Sequence, residues 1–454
     1  MNNKEVLKTE KVWKLFIKLS IPAVLAQLIN LLYNVVDRMY IGHIELVGSE
    51  ALTGVGVTLP VIMFISAFAS LCGMGGAPKA AIKMGEKNTD YANKILGNCF
   101  SLTIIISIIL TIILGIFGEN LLYLFGASKN TIIYANGYLS IYSLGTVFVM
   151  LSLGLNMFIT TQGFSTRSMI NVIIGAVSNI ILDPIFIFAF DMGVKGAALA
   201  TVVSQAISSF FIVSFLFSKK SNLKITLNNL KIDYKVILPC DALGVSPFVM
   251  QSTESILSIC FNTSLLKYGG DLAVGSMTIL TSLMGFAMMP LQGFTSGAQP
   301  IISYNYGAKD STRCKQAFTI LIITCITYSF IFWALIMFVP QIFISVFTSD
   351  VDLINYSVYA VRIYMGVIGL FGIQIACQQT FIALGNAPIS LFLALLRKVL
   401  LLIPLIYIIP NFTDDKCFGV FLAEPVADNI AVTTTIVLFI IIFKKTLKKI
   451  KRVQ

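Results

Sequence analysis

Apolar runs long enough to cross a bilayer follow one another along the whole chain, separated by short polar stretches. A hydrocarbon core about 30 Å thick takes about 20 apolar residues of helix. Twelve such runs can be drawn: 13–41, 51–77, 95–117, 131–160, 168–190, 196–218, 236–266, 272–296, 316–339, 353–384, 388–410 and 417–443. With no water in the core to satisfy backbone polar groups, runs of this length predict helices. The pattern also repeats. Gly75, Pro78, Gly85 and Lys87 recur at one constant offset as Gly297, Pro300, Gly307 and Lys309. The same offset carries Phe125 onto Phe347, Tyr134 onto Tyr356 and Gly163 onto Gly385. Six runs per copy is an even number, so both copies enter the membrane from one side. They are parallel repeats about an axis along the membrane normal, the architecture of a secondary transporter with its site between or within the bundles. The expected fold is an all-α integral membrane protein of two six-helix bundles, 1–218 and 236–443. A basic linker, 219–235, joins them, and a basic tail, 444–454, follows.

Composition agrees: 57 % hydrophobic, 12 % charged, mean hydropathy +0.89, which excludes an ordinary soluble domain. The net charge of +11 matters through its placement. With alternate loops assigned to opposite sides, one side collects most of the Lys and Arg. It takes the N-terminal segment from Lys4 to Lys18, the loop from Lys79 to Lys94, the linker and the tail from Lys444 to Arg452. Arg167, Lys309, Arg313, Lys315, Arg397 and Lys398 are placed there too. The other side has Lys129, Lys195, Lys267 and Lys416 with acids such as Glu45, Glu50, Asp350, Asp352, Asp414 and Asp415. This bias orients both termini to the cytoplasm of a cell membrane and requires no nucleic-acid partner. The N-terminus has no small-residue cleavage pattern, so a removable signal peptide is not expected.

The eight cysteines are scattered without a CxxC or Cys/His cluster, so neither a metal site nor a disulfide framework is expected. No GxxxxGK[ST] loop is present, so ATP is not the expected driver. HExxH, GxSxG and a DDxxD-type cluster are also missing, and no enzyme or catalytic residue is expected.

Candidate chemistry lies in polar stripes inside the runs. Gln27, Asn30, Asn34 and Asp37, flanked by Tyr33 and Tyr40, fall on one face of the first helix. A carboxylate in a span costs on the order of 2.5–3.5 kcal/mol on insertion scales and is a functional candidate by default. Asp37 is thus a candidate proton or cation carrier; a structural anchor with Arg38 is the alternative. The fifth span carries Asn171, Gly175, Asn179 and Asp183 at i, i+4 steps, and Pro184 follows the acid. A mid-helix proline frees a carbonyl and kinks the helix. On the seventh span Gln251, Glu254 or Ser255, Ser258 and Asn262 form a comparable stripe, and Glu254 is read as the one acid deep in a C-terminal span. Gln374 and Gln378 share a face of the tenth, as packing groups or part of the substrate-binding set. Gly75, Pro78, Pro184, Gly297 and Pro300 are candidate hinges.

These residues resemble the multidrug and toxic compound extrusion (MATE) family, in its MepA-like branch. The matching segments are IPAVLAQLINLLYNVVDRMYIG (21–42), GGAPKAAIKMG (75–85), NIILDPIFIF (179–188) and GAQPIISYNYGAKD (297–310). The resemblance implies V-shaped lobes and a twelve-helix antiporter that exports lipophilic, often cationic drugs in exchange for H⁺ or Na⁺, with no other cofactor. It implies that Asp37 is the ion-coupling acid of the first helix, and that Asn179 and Asp183 are the amide and acid of the fifth. It sets Asn156 near them and makes Glu254 the acid some members carry on helix seven. The second carboxylate that some members carry on helix ten has no counterpart; Gln374 and Gln378 stand there. The expected partners are drug cations, a monovalent cation and membrane lipid, with the chain a monomer. A flippase for lipid-linked precursors of the same superfamily is the alternative, for which Arg38 and Arg362 are a thin supply of pyrophosphate-binding cations.

Overall fold

The computed structural model describes residues 3–44 and 47–451, with side chains from Val6 to Ile450. Glu45 and Arg452, and the side chain of Lys4, lie outside the described residues. A short α1 (Asn3–Thr9) precedes the first lobe: α2 (Val12–Gly42), α3 (Gly48–Gly85), α4 (Thr89–Leu124), α5 (Ile132–Leu144), α6 (Thr146–Thr161), α7 (Ser165–Pro184) and α8 (Val194–Phe217). The second lobe holds α9 (Tyr234–Gly307), α10 (Ser311–Phe338), α11 (Pro340–Ile344), α12 (Val351–Tyr364), α13 (Ile368–Ala383), α14 (Ala387–Leu395), α15 (Ile403–Ile408) and α16 (Lys416–Lys451). Helices α5 and α6 form one span bent by 61°, and α12 and α13 one bent by 49°. At 1.5 Å per residue the 74 residues of α9 run about 110 Å, far more than one crossing. Gly270, at φ 64° and ψ −159°, breaks it into two spans. A loop near Lys267 is expected from sequence; a single left-handed glycine makes the reversal instead. The described helices thus make twelve spans in two lobes, and the chain is a multi-pass membrane protein.

The duplication extends to backbone detail. Lys87 and Lys309 take the left-handed conformation at φ 63° and 60°, as do Gly163 and Gly385 at 87° and 73°. Just beyond each lysine, Asn88 caps α4 by accepting from the Tyr91 N–H, and Asp310 caps α10 by accepting from the Arg313 N–H.

The lobes meet along a seam on the linker side. Gly85 lies so close to the Tyr304 carbonyl that an added Cβ would overlap it, and Gly307 meets the Ile82 carbonyl in the same way. Ile82 and Tyr304, and Gly85 and Gly307, are equivalent positions of the two copies. Such reciprocity is the mark of a two-fold axis. Gly75 abuts Cys240 and Gly244, while Gly297 abuts Ser20 on α2. Further along, Phe248 packs on Phe68 at 4.8 Å and on Phe64 at 5.8 Å, and Gln251 donates to Ser70 Oγ at 2.8 Å. Farther from the linker the polar faces open, with Asn34 and Glu254 exposed. Gly307→Val is therefore expected to pry the seam apart and raise maleimide labelling of buried Cys240 several-fold. Gly115→Val, with open space around it, should leave labelling unchanged.

The linker is polar by composition yet anchored. Gln162 Oε1 accepts from Ser221 Oγ and from the N–H groups of Asn222 and Leu223 at 2.7–3.0 Å. Leu223 and Ile225 are buried. At its end Lys94 pairs with Asp233 at 2.6 Å and holds that carboxyl below its usual range.

Candidate functional site

In the first lobe, α2 and α7 pack side by side and bring two acids together from far apart in sequence. The Asp37 and Asp183 carboxyls face each other within hydrogen-bonding reach. Asp183 is fully buried and accepts from Asn179 Nδ2 at 3.2 Å, one helical turn back. The i, i+4 spacing of Asn179 and Asp183 permits this bond, and Pro184 ends the α-helical turn directly after it. The backbone continues as a π-helical segment, Ile185–Ala189. Wide turns of this kind occur often at functional sites.

Three buried oxygens here have no partner: Asp37 Oδ1, Asp183 Oδ2 and Asn179 Oδ1; on α6 the Asn156 Oδ1 is also unpartnered. Unpartnered buried acceptors are costly, and such a group calls for an explanation. Two facing carboxylates would also repel in a low-dielectric interior. A proton or a small monovalent cation among these hard oxygen ligands answers both problems. Tyr33, half-buried, and Tyr138, buried, lie beside Asp37, and Tyr138 stacks on Tyr142 with ring centroids 5.9 Å apart. Thr201 on α8 touches both Tyr138 and the Asn179 amide. Elsewhere on the α2 stripe Asn34 turns its amide to the Asn30 carbonyl at 2.6 Å, and Gln27 is half-buried.

The second lobe holds a buried charge network. Arg397 donates through Nη2 to Glu424 at 2.7 Å and through Nε to Asp428 at 2.6 Å, with its guanidinium 4.4 Å over the Phe371 ring. Lys398 pairs with Glu254 and donates to the Met250 carbonyl at 2.6 Å. Two expectations are corrected here. Arg397 and Lys398 do not sit in a basic-side loop: they lie within a span, on the π-helical segment Leu396–Leu402 between α14 and α15. Nor is Glu254 the one acid in these spans, because Glu424 and Asp428 are buried on α16 and Asp241 is half-buried near the seam. Gln378 donates to Met250 Sδ at 3.2 Å. Gln374 accepts from Thr435 Oγ1 at 2.6 Å and leaves its Nε2 unpartnered.

Sequence reasoning missed Tyr138, Thr201, Arg397, Lys398, Glu424 and Asp428 as members of these clusters. Two acids four apart in an apolar run were a usable signal for Glu424 and Asp428. The hydroxyls had none. Among the described residues no group of three or more His, Cys, Asp or Glu side chains is placed to hold a metal ion.

The MatE family profile matches residues 22–185 and 247–408, one segment in each lobe. The multidrug export protein MepA of Staphylococcus saprophyticus is 25 % identical over 90 % of both chains, and that of Staphylococcus aureus 24 % over 90 % of both. The solved structure of the MATE multidrug transporter DinF-BH superposes with a TM-score of 0.88. It is 35 % identical, covering 95 % of this chain and 96 % of that one. A MATE crystal structure in the bent conformation, 22 % identical, shares the fold with a TM-score of 0.92 over 99 % of both chains. The paired lobes, the matched segments and the identity to DinF-BH agree: the chain belongs to the MATE family, whose members are transporters rather than enzymes.

Proposed function

We propose that this protein is a secondary active antiporter of the cell membrane that exports lipophilic cations in exchange for H⁺ or Na⁺, with both termini cytoplasmic. The observation that carries this reading is the Asp37–Asp183 pair, with unpartnered carboxyl oxygens in a lobe sealed on the linker side. The relatives named multidrug export protein, and the multidrug transporter DinF-BH, support the substrate class.

In this mechanism the ion enters from the open side and occupies the oxygens of Asp37, Asp183 and Asn179, with Asn156 close by. Neutralising the pair removes the attraction that held a cationic drug against the polar face of Gln27, Asn30, Tyr33 and Asn34. The drug then leaves toward the open side. Gln251, Gln374 and Gln378 serve the opposite wall. Coupling is the difference in affinity of the two ligands for the two states, and it acts equally in both directions. Return requires the seam to part, with bending at Gly75, Pro78, Pro184, Gly297 and Pro300. The flippase reading gains nothing from Arg397 and Lys398, because both are held by acids.

Ethidium efflux from energised cells tests the reading when the proton and sodium gradients are collapsed separately. Loss of efflux with one gradient and not the other names the coupling ion. Efflux that survives both collapses would sink the antiport. Alternating access has its own test. The buried thiols of Cys99 on α4 and Cys240 on α9 lie beside each other across the seam. Copper-phenanthroline oxidation should join them and stop export, and dithiothreitol should restore it. Full transport by the cross-linked protein would show that the seam does not open.

A further inference from the structure

The charge network of the second lobe is more than scaffolding, because its members are unequally exposed. Three acids, Glu254, Glu424 and Asp428, face two bases, Arg397 and Lys398. Arg397 is consumed by Glu424 and Asp428 in two hydrogen bonds, all three side chains being nearly buried. The other base is divided differently. Lys398 keeps 4 % of its side-chain surface, whereas its partner Glu254 keeps 57 %. A lysine inside the protein thus reaches toward a carboxylate that is open to the interlobe space. Glu254 stands between two α9 residues that reach the first lobe: Gln251 donates to Ser70 Oγ at 2.8 Å, and Ser255 approaches Met63 Sδ at 3.9 Å.

The lysine is held so that it could let go. Its ammonium has a second acceptor, the Met250 carbonyl, that does not depend on Glu254. A cavity of about 10 Å³ adjoins it, lined by Met250, Gln374, Gln378, Arg397 and Lys398. That is close to the space one water needs, and the unpartnered Gln374 Nε2 lies on its wall. The π-helical segment that carries Lys398 lets two successive residues, Arg397 and Lys398, both serve the interior. A cation in a span is expensive unless paired, so a structural role needs only a fully buried partner. A partner that is more than half exposed indicates a different use.

We propose that Lys398 is a tethered counter-ion that occupies Glu254 in the empty transporter, and that an organic cation entering the interlobe cavity binds Glu254 by displacing the lysine ammonium onto Met250 and the adjoining cavity. Lys398 is then an internal competitor that sets the affinity and charge preference of the second lobe. It rests on the cation-export reading, yet concerns residues separate from Asp37 and Asp183. Monovalent lipophilic cations suit the site, and uncharged compounds gain nothing from Glu254.

The test uses the purified full chain in lipid nanodiscs and tetraphenylphosphonium as probe. Removing a like charge from beside the bound cation should tighten binding, so Lys398→Met is expected to lower Kd roughly tenfold. Lys398→Arg should restore the wild-type value. The tightening should vanish in Glu254→Gln/Lys398→Met. A lysine that merely positions Glu254 predicts the reverse, weaker binding in Lys398→Met, and that result overturns the proposal, as does an unchanged Kd. The wild type gives a second readout that does not rely on a variant folding. Bound tetraphenylphosphonium should expose Lys398 and raise its acetylation by a membrane-permeant succinimidyl ester several-fold, read by peptide mass spectrometry. Unchanged or reduced acetylation overturns the displacement. If neither wild type nor any variant binds the cation, the export reading fails and this inference with it. If the wild type binds and Lys398→Met matches it, only the inference fails.

Discussion

Asp37→Asn and Asp183→Asn should each abolish gradient-driven ethidium efflux while the protein still folds and reaches the membrane. Asparagine keeps the size and hydrogen-bonding reach of each side chain but cannot take up a proton or carry the charge that holds a cation. The loss should therefore appear in coupling, with at least a tenfold fall in rate, equivalent to about 1.4 kcal/mol or more. Glutamate at either position is the informative contrast, since it keeps the charge and moves it by one methylene. Purified protein should show ion-dependent quenching of Tyr33 and Tyr138 fluorescence in the wild type and none in either asparagine variant. Efflux at the wild-type rate in Asp183→Asn would remove α7 from the coupling site and leave Asp37 alone there.

The second large effect concerns stability. Arg397→Met should destabilise the second lobe by about 3–5 kcal/mol, because it leaves Glu424 and Asp428 buried without their cation. The expected signs are a lower melting temperature and reduced yield from membranes. The triple variant Arg397→Met/Glu424→Gln/Asp428→Asn should recover most of that loss, since neutral groups of similar shape leave no stranded charge. If the triple variant is as unstable as Arg397→Met, the cost lies in packing of the guanidinium on Phe371.

Much of the architecture could be read along the chain because its causes are local. Run length decides which segments span, and the constant offset between Gly85 and Gly307 announces the duplication. Asn179 and Asp183 were legible because four residues return to the same helical face. The structure brings Asp37 to them across α2 and α7, a pairing that spacing within either helix cannot reveal. Arg397 and Lys398 were misplaced for a physical reason. Two adjacent cations in an apolar run resemble the end of a span, and loop-charge counting assigns them there. Their acids come 27 and 31 residues later in chain order for Arg397, and 144 residues earlier for Lys398. Only the folded lobe makes those pairs. Tyr138 and Thr201 are ordinary neutral residues in apolar helices, and nothing but tertiary placement distinguishes them. The linker misled in the opposite sense: its many polar residues hide Leu223 and Ile225, which pin it to the first lobe.

The reciprocal meeting of Gly85 with the Tyr304 carbonyl and of Gly307 with the Ile82 carbonyl describes a surface that recognises its own duplicate. Such a surface would serve a half-length chain as the interface of a parallel homodimer. Fusing two copies replaces encounter in the bilayer by a permanent tether, which raises the effective concentration of each half for the other. It also frees the halves to diverge: one keeps a pair of facing acids, and the other carries its own cation on a side chain.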